Sequence, residues 1–172
     1  MNARKGNAGF TLVEIMIVVA IIALLAAVAI PNVLRGRTTS NESAAVGNLR
    51  ALVSSGEMYR SVNNVYATTW DADMYGADCA AATAPAPDFG PPSFCLDLDA
   101  GAAVQGYTYT YADGAAPVQT YTIVAVPTTL GTTGTRSFYA DQSGLIRHCI
   151  GTGTAAQLVT ESTLDAAPTA CG

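Results

Sequence analysis

An apolar run of 25 residues near the start of the chain constrains its fold more than any other feature. The run extends from residue 10 to residue 34, and Glu14 is its only ionisable side chain. A helix rises 1.5 Å per residue, so this run would form a helix of roughly 37 Å, whereas the hydrocarbon core of a bilayer is about 30 Å thick. The sequence therefore predicts a helix that can cross a membrane.

A short basic leader precedes the apolar run. Residues 1–9 include Arg4 and Lys5, and positive charge before a membrane helix predicts that the N-terminus stays in the cytoplasm. The rest of the chain is then expected outside. A cleavable secretory signal is a competing interpretation, but its apolar core is only about 7 to 15 residues long and precedes a small-residue cleavage site. Here Ala8 and Gly9 come before the run.

The charge of the chain narrows the choice of partner. Asp and Glu number 13 against 8 Lys and Arg, which gives a formal net charge of −5. Proteins that bind nucleic acids normally present a basic surface to the phosphate backbone. We therefore predict no nucleic-acid partner.

The residues around the start of the run resemble a known protein family. The segment from Gly9 to Glu14, GFTLVE, followed by apolar residues as far as Pro31, is similar to the N-terminus of type IV pilins and of the pseudopilins of type II secretion systems. The resemblance is close over residues 1–35 and general beyond them. It implies that a prepilin peptidase cleaves between Gly9 and Phe10, and that the new N-terminal Phe10 is N-methylated.

Glu14 is the polar exception within the apolar run. A carboxylate in a membrane helix costs about 2.5 to 3.5 kcal/mol on insertion scales and usually marks a functional position. The nearest cation in sequence is the α-amino group that cleavage would create at Phe10, and N-methylation leaves it charged. The resemblance implies that Glu14 attracts this amine on a neighbouring subunit and sets the axial register of a filament. The alternative is a snorkelling or protonated glutamate, favoured at a helix start by the helix dipole.

Pro31 lies inside the helical pattern. It removes one backbone donor and its ring clashes with the carbonyl of Ala27, so a kink or a local loss of helical order is expected. The resemblance implies that such a loss accompanies assembly. The alternative is a helix that ends at Ile30 and is followed by a second helix.

Beyond residue 35 the pattern predicts a head with both helix and sheet. Apolar residues at spacings of three and four predict a helix from about Thr39 to Val62, which we interpret as the second half of one long helix. Residues 66–105 are interpreted as a long surface loop, because four prolines interrupt regular pairing. Four strands are expected at residues 107–111, 120–126, 136–140 and 145–149.

The predicted fold class is therefore α+β. A long N-terminal helix, membrane-spanning in its first half and amphipathic in its second, packs on an antiparallel sheet of about four strands, which is similar to the pilin fold. The expected organisation is a leader at residues 1–9, an apolar helix for spanning and polymerisation at residues 10–34, and an amphipathic helix with a globular head at residues 35–172.

All four cysteines lie on the predicted external side of the membrane. Their wide spacing favours disulfides in an oxidising compartment. Of the three possible pairings we favour Cys79 with Cys95 and Cys149 with Cys171, since each closes a loop of roughly 15 to 25 residues, worth about 3 kcal/mol. No CxxC or CxxH spacing is present, so no metal site is predicted.

Three residues of the type found in catalytic triads lie close together in sequence. Asp141, Ser143 and His148 fall within eight positions, but no GxSxG or HExxH motif is present and His148 is the only histidine. We interpret Asp141 and Ser143 as turn residues and His148 as a partly exposed strand residue. The sequence therefore predicts neither an enzyme nor a cofactor.

Two short acidic pairs fit no EF-hand spacing. A part in calcium binding is an open alternative for them. The pairs are Asp71 with Asp73 and Asp97 with Asp99.

The resemblance implies a structural subunit of a type IV pilus. The chain is expected in the inner membrane, with its head in the periplasm, and then in a filament at the cell surface. Expected partners are copies of itself, the prepilin peptidase and methyltransferase, the assembly machinery in the inner membrane, and membrane lipid before assembly. The alternative is a pseudopilin of a type II secretion or competence system.

Overall fold

The computed structural model describes residues 10–75, 89–95, 98–159, 163–164 and 166–171. The chain divides into two compact units, one ending at Gly36 and the other beginning at Arg37. We call residues 10–36 the stem and the described residues from 37 onward the head.

Three helices and five strands make up the described chain. The helices are α1 at Leu12–Asn63, α2 at Trp70–Tyr75 and α3 at Ala155–Leu158, with a 3₁₀ turn at Pro92–Phe94. The strands are β1 at Ala102–Val104, β2 at Tyr107–Asp113, β3 at Tyr121–Pro127, β4 at Arg136–Asp141 and β5 at Ile146–Ile150. The α+β fold class predicted from the sequence is confirmed.

Helix α1 continues through Pro31, so the alternative in which a first helix ends at Ile30 is wrong. The helix ends at Asn63, and the next residue, Asn64, has a φ of 59°. Asparagine adopts this left-handed conformation more readily than most residues, and such a residue commonly terminates a helix.

The five strands form one antiparallel sheet in sequence order, β1-β2-β3-β4-β5. In β2 the side chains of Tyr107, Tyr109 and Tyr111 are buried, and those between them are more exposed. This alternation is the period-two pattern of a strand with one face on a core. The four predicted strands are present within a residue or two of their expected ends.

Strand β1 was not predicted. It has only three residues, Ala102 to Val104, and pairs with the first half of β2. Short runs of alanine carry almost no strand signal, because alanine is depleted in strands. The pairing partner, rather than local propensity, therefore creates this strand.

The core of the head lies between one face of α1 and the inner face of the sheet. Apolar side chains such as Leu49 and Leu52 on α1 are fully buried, as are Ile123 and Phe138 on the sheet. The aromatic rings pack edge to face in several pairs, including Phe94 with Tyr109 at a centroid distance of 4.9 Å. Such pairs add about 0.5 to 1.5 kcal/mol beyond the area they bury.

The prediction of a surface loop at residues 66–105 is wrong for much of the described part. Trp70 and Met74 of α2 are buried, and so are Phe94 and Leu98. The indole nitrogen of Trp70 donates a hydrogen bond to the carbonyl oxygen of Phe94 at 3.1 Å. Large apolar side chains therefore draw this segment into the core, although its prolines prevent long regular elements. Residues 76–88, which include Pro85 and Pro87, lie outside the described residues.

The C-terminal segment lies along β5. The backbone N–H of Ile150 donates to the carbonyl of Thr169 at 2.7 Å, and the N–H of Cys171 donates to the carbonyl of Ile150 at 3.0 Å. A disulfide joins Cys149 to Cys171, and Leu158 of α3 packs against Cys149. The edge of the sheet at β5 is thus covered by the chain's own tail, which protects it from pairing with other chains.

Candidate functional site

The stem exposes nearly all of its apolar surface. Its most hydrophobic 18-residue window has a mean hydropathy of 3.0, and none of that window is buried. Soluble monomers rarely expose continuous apolar patches of this kind. Helix α1 is long and apolar enough here to cross a membrane, and the stem can also bind a surface of similar character. The large hydrophobic residues of the stem that are at least half exposed are Phe10, Leu12, Val13, Ile15, Met16, Ile17, Val18, Val19, Ile21, Ile22, Leu24, Leu25, Val28, Ile30, Val33 and Leu34.

Glu14 forms a capping box with Thr11 at the start of α1. The backbone N–H and the hydroxyl of Thr11 donate to Oε2 of Glu14 at 2.9 and 2.7 Å. In return, the N–H of Glu14 donates to the Thr11 hydroxyl at 3.3 Å. This reciprocal pattern satisfies backbone donors that a helix start leaves unpaired.

Thr11 is a residue that the sequence analysis missed. Its signal was visible, because a threonine three positions before a glutamate at the start of an apolar run is the capping-box signature. The bonds from Thr11 both end on Oε2, and among the described residues no hydrogen bond is recorded to Oε1. One carboxylate oxygen therefore orders the helix start while the other can accept from a second group.

The predicted processing site spans the boundary of the described residues. Gly9 lies outside them, so cleavage between Gly9 and Phe10 stays a prediction. Phe10 is the first described residue, and its side chain is 84% exposed. It is followed at once by the Thr11–Glu14 capping box, so a cation at residue 10 would belong to the same end of the helix as the carboxylate.

Pro31 lies in the helical part of the stem. The side-chain amide of the following residue, Asn32, donates to the carbonyl oxygen of Val28 at 3.1 Å. Proline removes the backbone N–H that would pair with the carbonyl of Ala27, and the Asn32 bond ends on the next carbonyl along the helix. The predicted loss of helical order on assembly stays a prediction.

A buried carboxylate anchors α1 to the sheet in the head. Glu42 is 6% exposed, and its Oε1 accepts bonds from the backbone N–H and hydroxyl of Thr135 at 2.8 and 2.7 Å. Its Oε2 accepts from the guanidinium of Arg136 at 2.8 Å. Burial on its own would raise the pKa of Glu42, but the bonds from Thr135 and Arg136 outweigh it and hold the pKa below the usual value.

Glu42 is a second residue that the sequence analysis missed. Its partners are 93 and 94 positions away in the chain, so no local sequence pattern predicts the contact. The one available hint was its position three residues before Ala45 and seven before Leu49, on the helix face that carries the apolar side chains. Charged residues at such positions are rarely buried unless paired.

One of the two predicted disulfides is confirmed. Cys149 and Cys171 form a disulfide across a sequence separation of 22. Cys79 lies outside the described residues, so its pairing with Cys95 stays a prediction.

The three triad-type residues do not form a triad. The carboxylate of Asp141 accepts from the N–H and hydroxyl of Ser143 inside a tight turn. His148 faces Arg136 through Nδ1 at 3.4 Å and the carbonyl of Ala166 through Nε2 at 3.1 Å. The expectation that His148 is partly exposed is wrong, since the residue is 1% exposed. The C-terminal segment that carries Ala166 covers it.

The carboxylates of Asp73 and Asp99 cap the start of α2. Oδ2 of Asp73 accepts from the N–H groups of Thr68 and Thr69 at 2.7 and 3.0 Å, and Oδ2 of Asp99 accepts from the N–H of Trp70 at 2.9 Å. Carboxylates commonly stabilise a helix start in this way. Among the residues that the structure describes, no group of three or more His, Cys, Asp or Glu is placed to hold a metal ion. Asp97 lies outside those residues.

Comparison with known proteins identifies the stem. The model of the prokaryotic N-terminal methylation motif matches residues 4–30. This match and the relatives described below concern the N-terminal part of the chain. That part is similar to the N-terminal segments of type IV pilins and of type II secretion pseudopilins.

Relatives of both kinds are similar to this chain over its N-terminal part. It is 50% identical over 58 residues to the type IV wide pilus major component PilA4 of Thermus thermophilus, covering 34% of this chain and 44% of the relative. It is 48% identical over 60 residues to the type IV major pilin protein PilA of Myxococcus xanthus, covering 35% and 27%. It is 38% identical over 69 residues to the type II secretion system core protein G of Vibrio cholerae, covering 40% and 47%.

The likeness is limited to part of each protein. The chain spans less than half the length of these curated relatives. No solved structure matches the chain. The likeness to pilins therefore rests on the N-terminal motif, together with the pilin-like arrangement of a long helix on an antiparallel sheet.

Proposed function

We propose that the chain is a structural subunit of a type IV pilus. In this proposal residues 1–9 are a leader that a prepilin peptidase removes between Gly9 and Phe10, and Phe10 is then N-methylated. The helix at residues 10–34 holds the subunit in the inner membrane with its head in the periplasm, and later forms the core of the filament. The rest of the chain, residues 35–172, forms the filament surface.

The exposed apolar stem is the observation that carries this proposal. A surface with no buried residue in its most hydrophobic window needs an apolar partner, first lipid and then other stems. Because lipid tails are as apolar as the stem, exchanging lipid for helices gains little from hydrophobicity alone, and close packing has to supply the rest. Small residues allow helices to approach closely, and the stem carries them at Ala20, Ala23, Ala26, Ala27 and Ala29.

The geometry of Glu14 supports its part in assembly. Thr11 occupies Oε2, which leaves Oε1 for the methylated amine of Phe10 on a neighbouring subunit. Inside a bundle of apolar helices such a pair is strongly favoured over an unpaired carboxylate, because neither charge has water as an alternative partner. The pair sets the axial position of one subunit against the next.

A pseudopilin of a type II secretion or competence system is the second candidate. The similarity to the core protein G of Vibrio cholerae favours it, because that similarity is of the same extent as the similarity to the pilins. In this case the same processed subunit stays with the envelope machinery instead of reaching the cell surface. Both candidates make the chain a structural protein that assembles with copies of itself.

Intact-mass spectrometry of two fractions from the native cell tests the proposal. Sheared surface filaments should contain a chain that begins at methylated Phe10. The same processed chain found only in washed membranes would support the pseudopilin instead. A chain that still begins at Met1 in both fractions would contradict processing and both candidates.

A further inference from the structure

The head buries the chain's single histidine beside its C-terminal segment. His148 is 1% exposed and lies on β5 opposite Phe138 of β4, with 6.3 Å between the centroids of the two rings. Histidine is the side chain whose charge ordinarily changes between pH 5 and pH 8. A buried histidine can therefore make the contacts around it depend on pH.

The partners of His148 specify a neutral ring. Nη1 of Arg136 lies 3.4 Å from Nδ1, and the carbonyl oxygen of Ala166 lies 3.1 Å from Nε2. A guanidinium group can only donate hydrogen bonds, and a carbonyl can only accept them. Nδ1 is therefore the bare nitrogen that accepts, and Nε2 carries the hydrogen that is donated.

A second proton would disrupt this arrangement. It would bind Nδ1, where it would face the N–H groups of Arg136 and place two positive charges side by side. Glu42 of α1 does not offset this repulsion, because it accepts from Nε and Nη2 of Arg136 at 2.8 Å and leaves Nη1 to the histidine. The hydroxyl of Tyr107 on β2 donates to the backbone carbonyl of Arg136. Among the described residues, no carboxylate contacts the imidazole.

The bond from His148 to Ala166 helps to hold the C-terminal segment on β5. On one side of Ala166, the N–H of Leu164 donates to the carbonyl of Ile146 at 3.3 Å. On the other side, the N–H of Ile150 donates to the carbonyl of Thr169 at 2.7 Å. The histidine therefore binds the segment midway between two backbone attachments.

We call residues 163–164 and 166–169 the C-terminal cover. β5 is the last strand of the sheet, and without the cover its outer edge would present unpaired N–H and C=O groups. Beyond the cover, Cys171 is joined to Cys149 by the disulfide. The cover can thus leave the strand while its end stays attached.

Protonation of the histidine and opening of the cover are thermodynamically linked. The closed cover requires the neutral ring, whereas an imidazole in water takes up a proton at a pH of about 6.5. The closed state is therefore favoured above that pH. As the pH falls below it, the equilibrium constant for opening rises by up to about tenfold per pH unit.

We propose that His148 is a pH-sensitive latch for the C-terminal cover. The neutral ring holds the cover on β5, and the protonated ring releases it. The released edge of β5 offers its backbone groups to a strand of another chain. The latch lies entirely within the head, so the proposal does not depend on whether the chain is a pilin or a pseudopilin.

Hydrogen exchange measured by NMR tests the latch. The full chain is isotope-labelled, held in detergent micelles and studied at pH 7 and pH 5, where Asp and Glu with ordinary pKa values of about 4 stay ionised. Protection factors, which correct for the intrinsic exchange rate, are measured for the amides of Leu164 and Ile150. Both should fall by about tenfold or more at pH 5. Those of the central strand β3 should change by less than about twofold.

His148→Gln is the matched control. Its side-chain amide can still hydrogen-bond but does not titrate, so the protection of Leu164 and Ile150 should be the same at both pH values within about twofold. The natural chain supplies a second measurement that needs no variant. Its single histidine gives one set of imidazole nitrogen signals, which at pH 7 should report a hydrogen on Nε2 and none on Nδ1.

Four results would overturn the latch. A hydrogen on Nδ1 at pH 7 would mean that Arg136 does not donate to this nitrogen. Unchanged protection of Leu164 and Ile150 at pH 5 would mean that the cover does not respond to acid. An equal fall in His148→Gln would assign the response to other groups, and an equal fall in β3 would mean that the whole head unfolds. None of these results would bear on the proposed function.

Discussion

The stem and the head use one helix in two opposite ways. In the stem, Val18 is 52% exposed and Leu24 is 72% exposed, whereas in the head Leu49 and Leu52 of the same helix are fully buried. The head half of α1 has one apolar face and a partner for it in the sheet. The stem is apolar on all sides, which is typical of a helix whose surroundings are lipid or other helices. The stem therefore requires partners from outside the chain.

Two of the three carboxylates of α1, Glu14 and Glu42, repeat this difference. Glu42 in the head has an arginine partner from its own chain at 2.8 Å. Glu14 in the stem has only the capping bonds from Thr11 and no cation among the described residues. The head thus satisfies its buried charge internally, whereas the stem carboxylate needs a cation from outside the described residues to be paired.

Replacing the stem carboxylate should have the largest effect. Because Glu14→Ala removes the anion that pairs with the neighbouring amine, the yield of sheared filaments should fall about tenfold or more, a factor that corresponds to about 1.4 kcal/mol per contact. Membrane insertion, measured by fractionation, should be unchanged. The matched control is Glu57→Gln, on the same helix but in the head, which should assemble normally. Normal filament yield from Glu14→Ala would contradict the pairing.

Removing the disulfide should weaken only the head. Cys149→Ser combined with Cys171→Ser opens a loop with a sequence separation of 22, which is worth about 3 kcal/mol in the chain-entropy model. The free energy of unfolding in urea should fall by about that amount, while membrane insertion of the stem should be unaffected. An unchanged unfolding midpoint would show that the tail is held by its backbone bonds to β5 instead.

Breaking the buried ion pair should lower the free energy of unfolding of the head by nearly as much as removing the disulfide. Arg136→Met leaves the carboxylate of Glu42 without its cation, and an unpaired buried charge of this kind, here partly open to solvent, should lower the free energy of unfolding by about 2 to 3 kcal/mol. The control is Arg50→Met, which removes an exposed arginine that has no ion pair among the described residues and should change stability by less than about 0.5 kcal/mol. Equal effects of the two substitutions would contradict the anchoring role.

The contribution of Glu42 to the stability of the head should depend on pH. Hydrogen bonds hold the pKa of Glu42 below its usual 4.5, so this residue adds stability above that pH and loses it as the pH falls through the lowered pKa. Urea unfolding measured between pH 7 and pH 3 should therefore show a smaller loss of stability for Glu42→Gln than for the natural chain. Parallel curves for the two proteins would mean that other carboxylates cause the acid sensitivity.

Two tyrosines of the core should give the smallest and most selective effects. The hydroxyl of Tyr121 is buried and has no hydrogen-bond partner among the residues that the structure describes, whereas that of Tyr111 donates to the carbonyl of Ala67 at 2.6 Å. Tyr121→Phe should leave the free energy of unfolding unchanged or raise it by up to about 1 kcal/mol, and Tyr111→Phe should lower it by about 1 to 2 kcal/mol. Equal losses in both variants would show that the two hydroxyls are equally well satisfied.

The parts of the molecule governed by local pattern could be predicted from the sequence. The apolar run, the long helix and the alternation of Tyr107, Tyr109 and Tyr111 each repeat over enough residues to be recognised. The capping box at Thr11 and Glu14 was equally local and was overlooked. The motif that relates the chain to pilins is also contained in the first 30 residues.

The remaining features depend on contacts between distant residues. Strand β1 exists because β2 pairs with it, and α2 begins where Asp99 reaches the N–H of Trp70 from 29 positions away. The anchor at Glu42 joins residues 93 and 94 positions apart. His148 is buried because the C-terminal segment folds over it. None of these contacts leaves a periodic signal in a single sequence, so the structure was needed to find them.

The most direct test of the division between stem and head is to separate them. Residues 37–172 produced without the stem should be soluble without detergent, monomeric in sedimentation and cooperative in urea unfolding, because the described core of the head lies within this unit. They should also fail to form filaments under conditions in which the processed full chain does. Filaments formed by the head alone, or a head that aggregates without its stem, would contradict the account.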